Sequence, residues 1–228
     1  MKRLLPIVLD LEMSGLNMEK CGIWQIGAVD LNTMEEFLQE SRIDKEDIVD
    51  QGALKVIGKT EEELRSPEKQ SQKEMLINFF RWVETRKLRN FVCQNPQFDV
   101  GFLDVRATKY GLKKTFHYRS FDLHTIAQVM YNMINNEFYT EEHHCKMGLT
   151  SIIEFCGMED NRLQMKGDVV ESEGNPHNAL EDAKLTAECF YRMLYGKNIF
   201  PEYAKYKIPK YLEREGTPLR IAPEEKKR

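Results

Sequence analysis

No stretch of this sequence approaches the roughly 20 consecutive apolar residues a membrane-crossing helix needs, so a protein that does not span a membrane is expected. There is no C-x-x-C pair: the five cysteines, Cys21, Cys93, Cys145, Cys156 and Cys189, are odd in number and far apart. That spacing suits neither a disulfide framework nor a cysteine zinc site, and predicts free thiols in a reducing, cytoplasmic setting. A basic surplus is missing as well. Lys and Arg total 33 against 37 Asp and Glu, a formal net charge of −4, which argues against a broad surface for gripping long duplex nucleic acid. It leaves room for a small enzyme that holds only a strand end, since bound metal ions supply positive charge locally. The apolar opening is interrupted by Asp10 and Glu12 and followed by no small-residue cleavage site, so it does not read as a secretory signal. Internal repeats are absent too.

What is present is a chain of 228 residues, 41% hydrophobic and 31% charged, enough to bury one sizeable core. The patterning predicts strands at 6–12, 24–31 and 36–43, helices at 46–57 and, capped by Thr60 with Glu63 in the reciprocal position, at 60–63. An amphipathic helix at 73–87 follows, with Phe79 and Phe80 toward the core and Trp82 elsewhere on its surface. A strand at 90–94, a helix at 96–110, a strand at 120–123 running into a helix through 133, and helices at 150–156 and 178–194 complete the reading. Three strands followed by alternating helices and strands imply an α/β fold, a mixed sheet flanked by helices. Residues 135–148 and 159–176 are polar and aperiodic, hence loops or insertions. Residues 1–196 read as one domain and 197–228 as a Pro- and Lys-rich, irregular tail.

Asp10 and Glu12 lie two apart on an otherwise apolar strand, so both side chains leave the same face. Two carboxylates there repel and lose hydration unless a cation or an arginine joins them, or the strand ends early into solvent. Asp99 follows Asn95-Pro96-Gln97-Phe98, where Asn95 reads as a cap and Pro96 as the first helical residue. Its side chain then tilts back toward the strand end, although acids at helix starts also serve simply to complement the dipole. Asn178-Ala179-Leu180-Glu181 has the character of a capping box. It places Asp182 one turn inside the last helix and His177 in the loop just before it. Four converging carboxylates suit two divalent cations, Mg²⁺ or Mn²⁺, about 4 Å apart and acting on a phosphodiester by in-line attack of water. His177, with an ordinary pKa of about 6.5, suits the general base.

These pieces, in this order, resemble the DEDDh (DnaQ-like) 3′–5′ exonuclease superfamily. Asp10-Leu11-Glu12-Met13-Ser14-Gly15-Leu16 looks like its first motif. Gln94-Asn95-Pro96-Gln97-Phe98-Asp99-Val100-Gly101-Phe102-Leu103 looks like its second, with Gln94 in place of the usual His. His177-Asn178-Ala179-Leu180-Glu181-Asp182-Ala183 matches the third. The resemblance spans about 6–195 and implies a ribonuclease H-like, mixed five-stranded sheet. It makes Asp10, Glu12, Asp99 and Asp182 metal ligands and His177 the base. It also implies that Met13, Ser14, Gly15 and Leu16, with Asn95 and Phe98, hold the terminal nucleotide, and that nucleoside monophosphates are released.

The implied partner is single-stranded or short DNA or RNA with a free 3′ end, the sugar being undecided by residue type. Leu11 to Leu16 and Phe116 to Asp122 are also similar to oligoribonucleases, which act on very short RNA and commonly dimerise, so a homodimer is compatible. The reading from another class is a non-catalytic module that binds strand ends, which has no need of four clustered acids. His143-His144-Cys145 offers no second ligand pair and reads as solvated loop. The Lys–Tyr pattern at 203–211 either stacks on bases or packs back on the domain.

Overall fold

A computed structural model describes residues 4–166 and 169–213. Its centre is a five-stranded mixed sheet in the order β3-β2-β1-β4-β5, built from β1 (Ile7–Met13), β2 (Ile23–Asp30), β3 (Glu35–Glu40), β4 (Phe91–Cys93) and β5 (Phe121–Asp122). β1–β2 and β2–β3 pair antiparallel, β1–β4 and β4–β5 parallel. The helices are α1 (Gln51–Ile57), α2 (Glu61–Leu64), α3 (Gln72–Glu84), α4 (Pro96–Lys109), α5 (Leu123–Asn135), α6 (Leu149–Phe155) and α7 (Ala179–Tyr195). None is long and apolar enough to cross a membrane among the described residues.

Alternation along β1 sorts its side chains between two cores. Ile7, Leu9 and Leu11 join Met75, Phe79 and Phe80 of α3 and Phe102 and Leu103 of α4 on one face. Val8 joins Ile152 and Ile153 of α6 and Ala183, Ala187 and Phe190 of α7 on the other. Asp10 and Glu12 have the parity of Val8, so the period-two geometry of a strand puts both acids on the α7 side.

That side is shaped by β2. Gly27 pairs with Asp10 across the ladder, and a Cβ on it would lie 2.1 Å from the Ala179 carbonyl carbon. Only a glycine lets the start of α7 close on the sheet here. Two residues away, the Gln25 side-chain oxygen accepts from Ala179 N at 2.7 Å. The start of α7, and with it Asp182, is thereby seated on the sheet.

Several expectations change in detail. The helix expected from residue 46 starts at Gln51, capped by Asp50. Before it, the Asp47 side chain accepts from Asp44 N and Ile48 N bonds to Lys20 O, so local and cross-chain bonds replace helical ones. The two aperiodic segments are not plain loops: each carries a hairpin, β6 (Thr140–Glu141) with β7 (His144–Cys145), and β8 (Gln164–Lys166) with β9 (Val169–Ser172). Residues 197–213 are irregular but packed. Phe200 and Leu212 are buried in the α7-side core, and the Tyr211 hydroxyl donates to Phe155 O. The rest of the expected tail, 214–228, lies outside the described residues. Trp82 is half-buried and donates to Glu35. Four cysteines are buried and Cys145 is exposed.

Candidate active site

Three devices bring the predicted acids together. β1 supplies Asp10 and Glu12, the first turn of α4 supplies Asp99, and the first turn of α7 supplies Asp182. Asn178 caps α7, its Oδ1 accepting from Leu180 N and Glu181 N. The Glu181 side chain lies toward Lys184. Asn95 does not act as the expected side-chain cap of α4: it sits in the left-handed region with φ 68° and makes no capping bond, and Pro96 opens the helix. Asp10, Glu12, Asp99, His177 and Asp182 line a single cleft of about 690 Å³. Its far wall comes from both insertions and α6, through Lys146, Gly148, Arg162, Leu163 and Met165 among others.

His177 is fixed from three sides. Its backbone N donates to Val56 O of α1, its Nδ1 lies 3.3 Å from Asp182 Oδ2, and its Nε2 lies 2.9 Å from Leu163 O. A carbonyl can only accept, so Nε2 carries a proton and Nδ1 is the nitrogen left to take one. Burial works against a charged ring, yet the hydrogen bond and charge of Asp182 outweigh it and hold the imidazole above its ordinary pKa.

The carboxyls are stressed. Burial, then the charges of Asp182, Asp99 and Glu12, push Asp10 well above the usual range. Burial and Asp182 raise Glu12 to about 8, with His177 opposing. Burial raises Asp99 to about 7, against backbone hydrogen bonds from Asp99 itself and Leu11. Asp182 Oδ1 is buried and accepts no hydrogen bond, a costly state for a carboxylate oxygen. An orphaned oxygen among four acids that share one nearby arginine, Arg162 on Asp182, is a set of hard donors that fits divalent cations. Among the described residues, one group of three or more His, Cys and acid side chains has ligand atoms within 4.8 Å of one another: Glu12, His177 and Asp182. The His143-His144-Cys145 segment forms no such group.

The residues expected to hold a terminal nucleotide divide. Met13 and Phe98 line the main cleft. Met13, Gly15 and Leu16, the last 79% exposed, line an adjoining hollow of about 400 Å³ against α1. Ser14 is a correction: it is fully buried, its hydroxyl donating to Ile48 O and accepting from Gly22 N, so it faces neither cavity. Asn95 is also absent from the lining of both. Arg162, in contact with Asp182 at 3.1 Å, was not singled out; an arginine in an aperiodic polar segment carries no pattern that would mark it. Gln94, noted only for replacing a histidine, lines the main cleft too.

A family model described as "3'-5' exoribonuclease Rv2179c-like domain" matches residues 6–194. A search of curated proteins finds no match. Among solved structures, the nuclease domain of 3'hExo, described as a DEDDh family member bound to rAMP, superposes with a TM-score of 0.58 at 17% identity, covering 90% of this chain and 96% of that one. E. coli ExoI in a zinc-bound complex with single-stranded DNA gives 0.61 at 14% identity, covering 81% of this chain and 39% of that one. Cell-death related nuclease 4 (CRN-4) gives 0.57 at 15%, covering 82% and 62%. These likenesses establish the ribonuclease H-like α/β fold shared with DEDDh exonucleases.

Proposed function

We propose, from the premise that this chain belongs to the Rv2179c-like 3′–5′ exoribonuclease family and is a 3′–5′ exonuclease, that Asp10, Glu12, Asp99 and Asp182 hold two divalent cations and that His177 is the base. The substrate is single-stranded or short nucleic acid with a free 3′ end, RNA by the family description, and the products are nucleoside monophosphates. The observation that carries this reading is the unbonded, buried Oδ1 of Asp182 beside three further acids whose carboxyls are pushed upward. A module that merely gripped strand ends would leave that charge unbalanced.

Bound Mg²⁺ or Mn²⁺ would supply Lewis acidity and charge neutralisation at the phosphodiester. The remaining steps belong to the chain. His177 takes a proton from the attacking water, its ring oriented by Leu163 O and Asp182. Met13, Gly15 and Leu16 border a hollow suited to a terminal base, and Phe98 offers a flat apolar face beside Asp99. The wall built by the two insertions leaves a cleft for a strand end.

The test is degradation of 5′-labelled single-stranded RNA and DNA, from dinucleotides upward, with Mg²⁺ or Mn²⁺ and with chelator, beside Asp182→Asn. A chelator-sensitive ladder shortening from the 3′ end, lost in the variant, is expected. Intact substrates with folded wild-type protein would refute the assignment.

A further inference from the structure

Arg162 lies outside the proton transfer and the acid set, yet it bonds to Asp182 directly and its neighbour Leu163 holds His177. Its side chain is 11% exposed and its fork is held from behind. Nε and Nη2 donate to Asp160 at 2.9 and 2.8 Å, and Asp160 in turn accepts from the Thr150 hydroxyl at 2.7 Å. Nη1 reaches Asp182 Oδ2 at 3.1 Å. An arginine already neutralised by its own aspartate adds little counter-charge for four acids. What it adds is direction, because a planar guanidinium fixed on one side by a bidentate carboxylate can move little on the other.

Two consequences follow at the site. Arg162 and His177 both engage Oδ2 of Asp182, which leaves Oδ1 as the oxygen without a protein partner. The next residue supplies the carbonyl that holds His177 Nε2. That carbonyl is itself braced, since Leu163 N donates to Asn175 O and Asn175 N to Asn161 O, 2.8 and 2.9 Å, just ahead of His177. One anchored side chain therefore sets a ligand carboxylate and, through its neighbour, the ring of the base.

Resting on the reading of the site given above, we propose that Arg162 is a positioning residue for the exonuclease reaction: it orients Asp182 through one oxygen so that the other is free for a cation, and it anchors the segment leading into β8, whose Leu163 carbonyl orients His177. Residues that orient ligands from behind typically change activity by about 10–100-fold when lost. Arg162→Ala is expected to lower kcat on single-stranded RNA by about that factor with KM little changed. Added guanidinium should restore part of the rate. Mn²⁺ binding, measured by calorimetry, should persist, since removing a cation does not repel one. In metal-free protein, the slowly exchanging Nε2–H proton of His177 should be visible by ¹⁵N NMR in wild type and lost in the variant. Asp160→Asn, which loosens the fork while keeping the guanidinium, should shift kcat and the imidazole signal in the same direction and by less, and serves if Arg162→Ala fails to fold. Unchanged kcat in folded Arg162→Ala, or a loss confined to KM, would overturn the proposal, the latter by making Arg162 a substrate contact. Inactive wild-type protein would refute the exonuclease site instead, and the imidazole signal of the metal-free protein would still decide whether Arg162 sets the ring.

Discussion

Glu12 and Asp99 hold their carboxyls protonated up to about 8 and about 7, whereas free carboxyls of their kind ionise near 4.5 and 3.8. Without cations the folded chain thus binds more protons than the unfolded chain between those limits, and its stability falls as pH climbs through that window. His177, also raised above its ordinary value, acts in the same sense: its contribution is present below the unfolded pKa and lost as pH rises through the folded one. Chelated protein should therefore show a Tm that declines from about pH 5 to about pH 8, and Mn²⁺ should raise Tm more at the upper end. A Tm independent of pH, with the same Mn²⁺ effect at both ends, would mean that the acids are ionised without help. Asp10, Glu12, Asp99 and Asp182 were legible as a set because each sits on a backbone device with a sequence mark: strand alternation, a helix-opening proline, an Asn cap. The burial of Ser14 was not, because a motif does not say that its hydroxyl is taken by Ile48 O and Gly22 N. Arg162 left no mark at all, its partners Asp160 and Asp182 being set by a fold-back of a polar segment.

At the scale of elements, the seat of α7 on β2 is the joint on which the site depends. Gly27→Ala would drive a methyl into the backbone at Ala179. It should cost about 1–3 kcal/mol by overpacking. It should also lower kcat on the order of 10²-fold, as expected for a displacement of about 1 Å at a reacting group. Urea unfolding and single-turnover rates would check the two halves, and a destabilised variant with full activity would show that this contact does not place Asp182. The sheet strands and the long helices were readable because apolar periodicity is enforced by burial on both faces of β1 and on one face of α3, α5 and α7. The start of α1 was misplaced since Asp47 and Ile48 satisfy their neighbours' backbone through side-chain and cross-chain bonds, which periodicity does not register. The two hairpins are short, with strands of two to four residues, so no hydrophobic alternation announces them.

Across the whole molecule, a buried ion pair inside α7 ties residues 199–206 to the core. Glu188 Oε1 accepts from Arg192 Nε at 2.8 Å, and its Oε2 from Ile199 N and Phe200 N. Arg192 donates on to Cys156 O, Tyr203 O and Tyr206 O. Removing one partner of such a pair strands the other, so Glu188→Ala should cost about 3–5 kcal/mol. Turnover per folded molecule should change little, which denaturant midpoints and active-site titration would separate. None of this was visible in a Lys- and Tyr-rich tail, whose tyrosines partly pack back on the domain. The cysteines add a use that composition alone did not suggest. Cys21 and Cys93 lie in the core on the α3–α4 face, Cys156 and Cys189 in the core on the α7 face, and Cys145 is exposed. A thiol reagent meeting the native chain encounters one sulfur at once and the other four only when a core opens. The labelling rates of the two buried pairs would then time the breathing of the two faces of the sheet separately, with Cys145 as the internal clock.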